Sequence, residues 1–153
     1  MPAHSRRAAL VLLAGGLAAC ARRPEADVTR ALPVEAGSSR TRSLIEKWAR
    51  VYDVPPALVH RVVKRESNYN PAARNGPYMG LMQIHPQTAR TMGFRGAPAD
   101  LLDAETNLQF AVKYLRGAWM VADGSYDRAV GWYSRGYYYE AKRRGLLKQT
   151  GLR

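Results

Sequence analysis

At 153 residues the chain holds at most one ordinary domain. Its hydrophobic content of 46% excludes a disordered polymer. With 24 Lys and Arg against 12 Asp and Glu, a formal charge of +12, the favoured partners are polyanionic: nucleic acid, an anionic cell wall or a membrane surface.

The N-terminus decides among those three. Arg6 and Arg7 make a basic start, and residues 8–19 form an apolar or small run too short to span a membrane as a mature helix. Residues 1–19 therefore read as an export signal, which argues against nucleic acid. The run ends Leu17-Ala18-Ala19-Cys20, which resembles the bacterial lipobox, where cleavage precedes a cysteine that is then lipidated. Cys20 is also the single cysteine, so no intramolecular disulfide can form. An ordinary signal peptide beside a free thiol is the alternative. Ala21 follows where an aspartate is absent, and by resemblance to lipoproteins of enteric bacteria this implies sorting to the outer membrane, facing the periplasm. Residues 20–40, with Pro24, Pro33, Gly37, Ser38 and Ser39, read as the lipidated cysteine and a linker. Extended, it reaches at most ~70 Å; as a flexible chain it averages ~25 Å.

Residues 41–153 are predicted to fold as one mainly α-helical domain. Residues 41–52 carry Leu44, Ile45, Trp48 and Val51 at helical spacing, with Thr41 or Ser43 as N-cap. Asp53-Val54-Pro55-Pro56 breaks the chain, and proline opens the next helix. In that helix Val59, Val62, Val63 and Glu66 recur at i, i+3, i+4 and i+7. Residues 68–78, rich in Asn, Pro and Gly, read as loop, and 80–84 as a short apolar segment. Helices follow from Pro86 to Met92, over 103–122 with Leu108, Ala111, Val112, Leu115 and Trp119 inward, and over 126–134 and 137–144, joined at Gly136. No stretch alternates convincingly as a strand.

Glu66 stands out because a carboxylate continues an aliphatic stripe to the end of its helix. Burial there raises a carboxyl pKa, and a protonated carboxyl in a cleft is what a general acid requires. The plain alternative is a helix end paired with a base, but Lys64 and Arg65 do not share its face. Asp100, Asp103, Glu105, Asp123, Asp127 and Glu140 are the candidates for a second carboxylate. Asp103 reads as an N-cap, Asp127 and Glu140 as solvated or capping residues, and none has the buried-face pattern of Glu66. His4, His60, His85 and Cys20 have no metal-ligand spacing, and no cofactor is implied.

Residues 66–84 read ESNYNPAARNGPYMGLMQI. Glu66-Ser67, Asn70-Pro71, Gly80-Leu81-Met82-Gln83-Ile84, Pro86 and Thr88-Ala89 together resemble the signature of the soluble-lytic-transglycosylase-like family, peptidoglycan-cleaving enzymes of lysozyme-like fold that often carry a small hairpin near this block. Tyr133-Ser134-Arg135-Gly136 resembles the family's Tyr-Asn-x-Gly motif, with Ser134 in place of the usual Asn. The resemblance implies one catalytic carboxylate, Glu66, cleaving between N-acetylmuramic acid and N-acetylglucosamine with formation of a 1,6-anhydro end. It implies Ser67, Gly80, Met82, Gln83 and Tyr133 as substrate-binding residues: Ser67 bonded to substrate or to the carboxylate, Gly80 admitting a close backbone approach of the saccharide, Met82 lining the cleft or filling the core, Gln83 bonding a sugar hydroxyl or acetamido group, and the Tyr133 hydroxyl donated to Glu66. The basic, tyrosine-rich stretch over 137–144 reads as a sugar- and carboxylate-contacting segment or as a solvated basic helix with one tyrosine in the core. Expected partners are glycan strands and, through Cys20, a membrane, with a cell-envelope machine left open and a monomer expected. The rival readings are a hydrolase on the same fold, similar to goose-type lysozyme, in which Glu66 directs a water, and a non-catalytic wall-binding or secretion-associated protein that kept the cleft.

Overall fold

A computed structural model describes residues 38–152; the expected export signal, Cys20 and nearly all of the expected linker lie outside the described residues. Helix α1 spans Ser39–Val51 and buries Thr41, Leu44, Ile45 and Ala49. Its cap is neither Thr41 nor Ser43: the Ser38 hydroxyl accepts from the Thr41 amide at 3.1 Å, because Ser38 still has extended backbone while Thr41 already lies inside the first turn. Helix α2, Pro56–Ser67, starts on a proline whose missing amide proton costs nothing there. It buries Val59, Val62 and Val63, as the spacing predicts, and Leu58 beside them.

The small hairpin that the family resemblance implies is present, within a stretch whose own residues read as loop. Strands β1, Arg74–Asn75, and β2, Tyr78–Met79, pair antiparallel with Arg74 opposite Met79 and Asn75 opposite Tyr78. Gly76-Pro77 makes the two-residue turn, and Gly76 takes the positive φ of 56° that such a tight turn requires. Strands of two residues are too short to leave an alternation in the sequence, so the periodicity test misses them.

Helix α3, Pro86–Thr91, is capped by His85, whose Nδ1 accepts from the Gln87 amide. An unanticipated 3₁₀ turn, Pro98–Leu102, leads into α4, Ala104–Met120. Asp103 caps α4 by accepting from Thr106 at 2.8 Å, the role its position predicts. Helices α5, Tyr126–Arg135, and α6, Tyr138–Arg143, complete the described fold.

Helix α4 is the axis of the packing. It contacts α1, α3, α5 and the 3₁₀ turn, and Leu108, Ala111, Val112, Leu115 and Ala118 on it are completely buried. Trp119 is half-buried, edge-on to Tyr126 at 5.5 Å. In the 137–144 stretch, Tyr137 is the core tyrosine: its hydroxyl donates to the Tyr114 carbonyl at 2.8 Å. Its ring fills the space beside Gly117, where a Cβ would collide with it. Arg143 and Arg144 are engaged with Glu140, and Arg144 also with Asp123, so this segment is a tied-down helix rather than a free cationic arm.

Candidate active site

The packing of α2 presents Glu66 at the lip of a groove. Its side chain is 22% exposed, consistent with a stripe that is aliphatic up to Val63 and opens at the helix end. Burial pushes its carboxyl above the ordinary range, and the Arg65 guanidinium, with Nε 3.7 Å from Oε1, pulls the other way. The contact corrects the expectation that Arg65 points elsewhere: at the last turn a long side chain curls back.

After Glu66 the backbone turns through two successive left-handed residues, Asn68 (φ 50°) and Tyr69 (φ 65°). The Tyr69 hydroxyl is held 3.0 Å from His60 Nδ1. Left-handed backbone at a bulky tyrosine is costly and needs such support. The chain then runs through the hairpin and returns at residues 79–84, closed on itself by the Met79–Ile84 bridge, with Gln83 also left-handed at φ 47°.

Each residue expected to bind substrate can now be placed. Gln83 lines the groove beside Glu66. Its amide nitrogen donates to the Ala73 and Gly80 carbonyls at 3.0 and 2.9 Å, which leaves the amide oxygen as the group available to a ligand. Tyr133, from α5, lines the same groove, but its hydroxyl donates to the Met82 carbonyl at 2.8 Å and not to Glu66. A buried carbonyl must find a donor, and Tyr133 supplies it. Burial, and after it the Glu66 charge, holds the phenol well above its ordinary pKa, so it remains a neutral donor.

Ser67 contacts neither substrate space nor the carboxylate: its hydroxyl lies 2.8 Å from the Leu81 carbonyl and 3.3 Å from that of Val63. With one proton to give, it fastens the end of α2 to the returning segment. Met82 is fully buried and fills core. Gly80 is also buried, with φ 75°, and a Cβ there would collide with Asn107 Nδ2 and the Leu101 carbonyl. Close packing against α4 and the 3₁₀ turn by itself requires glycine at 80.

The sequence reading missed the residue that organises this segment. Asn107, completely buried on α4, donates to the Met79 and Leu101 carbonyls, both at 2.8 Å, and accepts from the Met82 amide at 3.0 Å. The signal was present: an amide one position before Leu108 and four before Ala111 lies on the inward face and must be satisfied there. Also missed were Asn75 and Tyr78, which line the groove from the hairpin, and Arg65 and Arg135.

The groove consists of two adjoining hollows of about 240 and 280 Å³ that share Tyr78, Gln83, Tyr133 and Ser134. Glu66 is the only carboxylate among their lining residues. The model of the transglycosylase SLT domain matches residues 43–146, the span from α1 through α6 that builds the groove. The chain belongs to this family. Its helical body with one small hairpin is the lysozyme-like SLT fold, and an SLT domain implies peptidoglycan as the polymer acted on.

Proposed function

We propose that this protein is an active lytic transglycosylase with Glu66 as its single acid and base. The observation that carries the reading is the composition of the groove: one half-buried carboxylate, raised in pKa, and no second one in the lining. A water-directing inverting hydrolase needs a second carboxylate across the sugar; an intramolecular attack does not.

In the proposed reaction Glu66 protonates the oxygen joining C1 of N-acetylmuramic acid to N-acetylglucosamine. That C–O bond breaks with assistance from the 2-acetamido oxygen. Glu66, now ionised, removes the proton from the C6 hydroxyl of the same muramic residue as the C6 oxygen bonds to C1 and displaces the acetamido oxygen, whose bond to C1 breaks. The product is a 1,6-anhydro end, the proton returns to Glu66, and no water is consumed. Acid–base action of this kind supplies roughly 10²–10⁴-fold of rate, and positioning by Gln83 and the rigid 79–84 segment supplies more. Mass spectrometry of muropeptides tests the reading. Anhydro ends from wild type and none from Glu66→Gln support it; reducing ends, heavier by one water, would make the enzyme a lysozyme-type hydrolase.

The run ending at Cys20 supports a lipid-anchored enzyme, placed at the outer membrane and facing the wall. The intact mass of membrane-extracted protein, compared with Cys20→Ala, tests this; an unmodified wild-type cysteine would refute it.

A further inference from the structure

The two left-handed residues after Glu66 are unequal. Asn68, the cap of α2, takes φ 50° at little cost, since asparagine visits this region readily. Tyr69, at φ 65°, has a bulky side chain for which the same backbone is an outlier. Such a residue persists only where its surroundings hold it. The Tyr69 ring is tilted against the His60 ring with centroids 5.9 Å apart, and its hydroxyl is 3.0 Å from His60 Nδ1. The side chain therefore reaches back roughly two turns along the helix that the chain has just left.

His60 is steadied in turn from α1. Its Nε2 faces the Glu46 carboxylate, 3.8 Å from Oε1. A carboxylate on that side favours the proton on Nε2, which leaves Nδ1 to accept from the phenol. Burial keeps that phenol protonated, against the weaker pull of the Arg42 charge. The segment over 79–84 has separate ties, through Ser67, Asn107 and Tyr133. What the Tyr69 bond governs is the stretch between them, the hairpin, whose Asn75 and Tyr78 line the hollow that holds Glu66.

We propose that Tyr69 and His60 are positioning residues: their hydrogen bond sets the direction in which the chain leaves α2, and so keeps the hairpin side of the groove closed against Glu66. The inference rests on the proposed function for the role of Glu66 and names what holds the surroundings of that acid in place.

The experiment is an NMR titration of the Glu66 carboxyl carbon in the substrate-free protein. Tyr69→Phe keeps the ring and removes only the hydroxyl. It should move the Glu66 titration down, toward the ordinary carboxyl range, because a loosened hairpin admits water. His60→Leu should do the same, and the two changes together no more than either alone. His60→Asn, whose amide oxygen stands in for Nδ1 as acceptor, should keep the wild-type value. The titratable neighbours of Glu66 in its hollow, Arg65, Tyr78 and Tyr133, are the same in all of these variants. As a control, Thr150→Val removes a buried hydroxyl bonded to the Leu146 and Leu147 carbonyls and should leave the titration where it is. On peptidoglycan, Tyr69→Phe should lower turnover by about ten-fold, within the range that a small misplacement costs. The proposal is overturned by a Glu66 titration that Tyr69→Phe leaves unmoved or raises, by effects of the two changes that add, or by an equal shift in Thr150→Val. A shift in His60→Asn as large as in His60→Leu, or undiminished turnover in Tyr69→Phe, overturns it as well. Absence of turnover in the wild type counts against the proposed function alone, because the titration needs none.

Discussion

Glu66 sits under two opposed influences, burial raising its pKa and Arg65 lowering it. In the proposed reaction the acid must be protonated, so activity should fall as pH rises through that pKa. Arg65→Gln removes the opposing charge, so the alkaline limb of the kcat/KM profile should move to higher pH; a limb that stays put or moves down would show that Arg65 does not act on Glu66. The same burial has a stability sign. A carboxyl whose folded pKa is raised favours the fold below its unfolded pKa and loses that contribution as pH rises through the folded one. Glu66→Gln should therefore melt at a higher temperature than wild type at pH 7, with the advantage vanishing near pH 4, while activity is lost. Equal melting at both values would mean that the carboxylate is adequately solvated.

Among the elements, α2 and the core face of α4 were legible because aliphatic residues recur at helical spacing, and Asp103 was legible because its short acceptor precedes a long periodic run. The 79–84 segment was legible as important but not in its workings. Its apolar letters could not reveal that Tyr133, Ser67 and Asn107 each bond to its backbone, since main-chain carbonyls leave no mark in a sequence. That is why Ser67, Gly80, Met82 and the Tyr133 hydroxyl, expected to touch substrate or Glu66, turn out to hold the segment instead. Asn107→Ala would strand one buried amide and two carbonyls and should cost about 3 kcal/mol or more in urea unfolding; a loss under about 1 kcal/mol would refute the organising role. Gly80→Ala should yield little folded protein, because backbone cannot yield as a flexible side chain can. At α6, bonds from Arg143 and Arg144 hold the Glu140 carboxyl down at about 2. This stabilisation is present above the unfolded value and is lost as pH falls through about 2, so the melting difference between wild type and Glu140→Gln should shrink over that interval.

For the whole molecule, the excess of Lys and Arg over Asp and Glu predicts salt-dependent attachment to an anionic wall. Cosedimentation of Glu66→Gln protein with sacculi should fall several-fold between about 50 mM and 500 mM salt; salt-independent attachment would assign binding to uncharged contacts. The groove draws on distant parts of the chain: Glu66 from α2, Gln83 from the returning segment, Tyr133 from α5, with Asn107 of α4 between them. This order has a consequence for the timing of synthesis. A nascent chain that has grown only to residue 100 already contains Glu66, yet the wall formed by Tyr133 and the clamp formed by Asn107 do not exist. The groove therefore comes together late in synthesis, once residue 133 has been added, rather than growing with the chain.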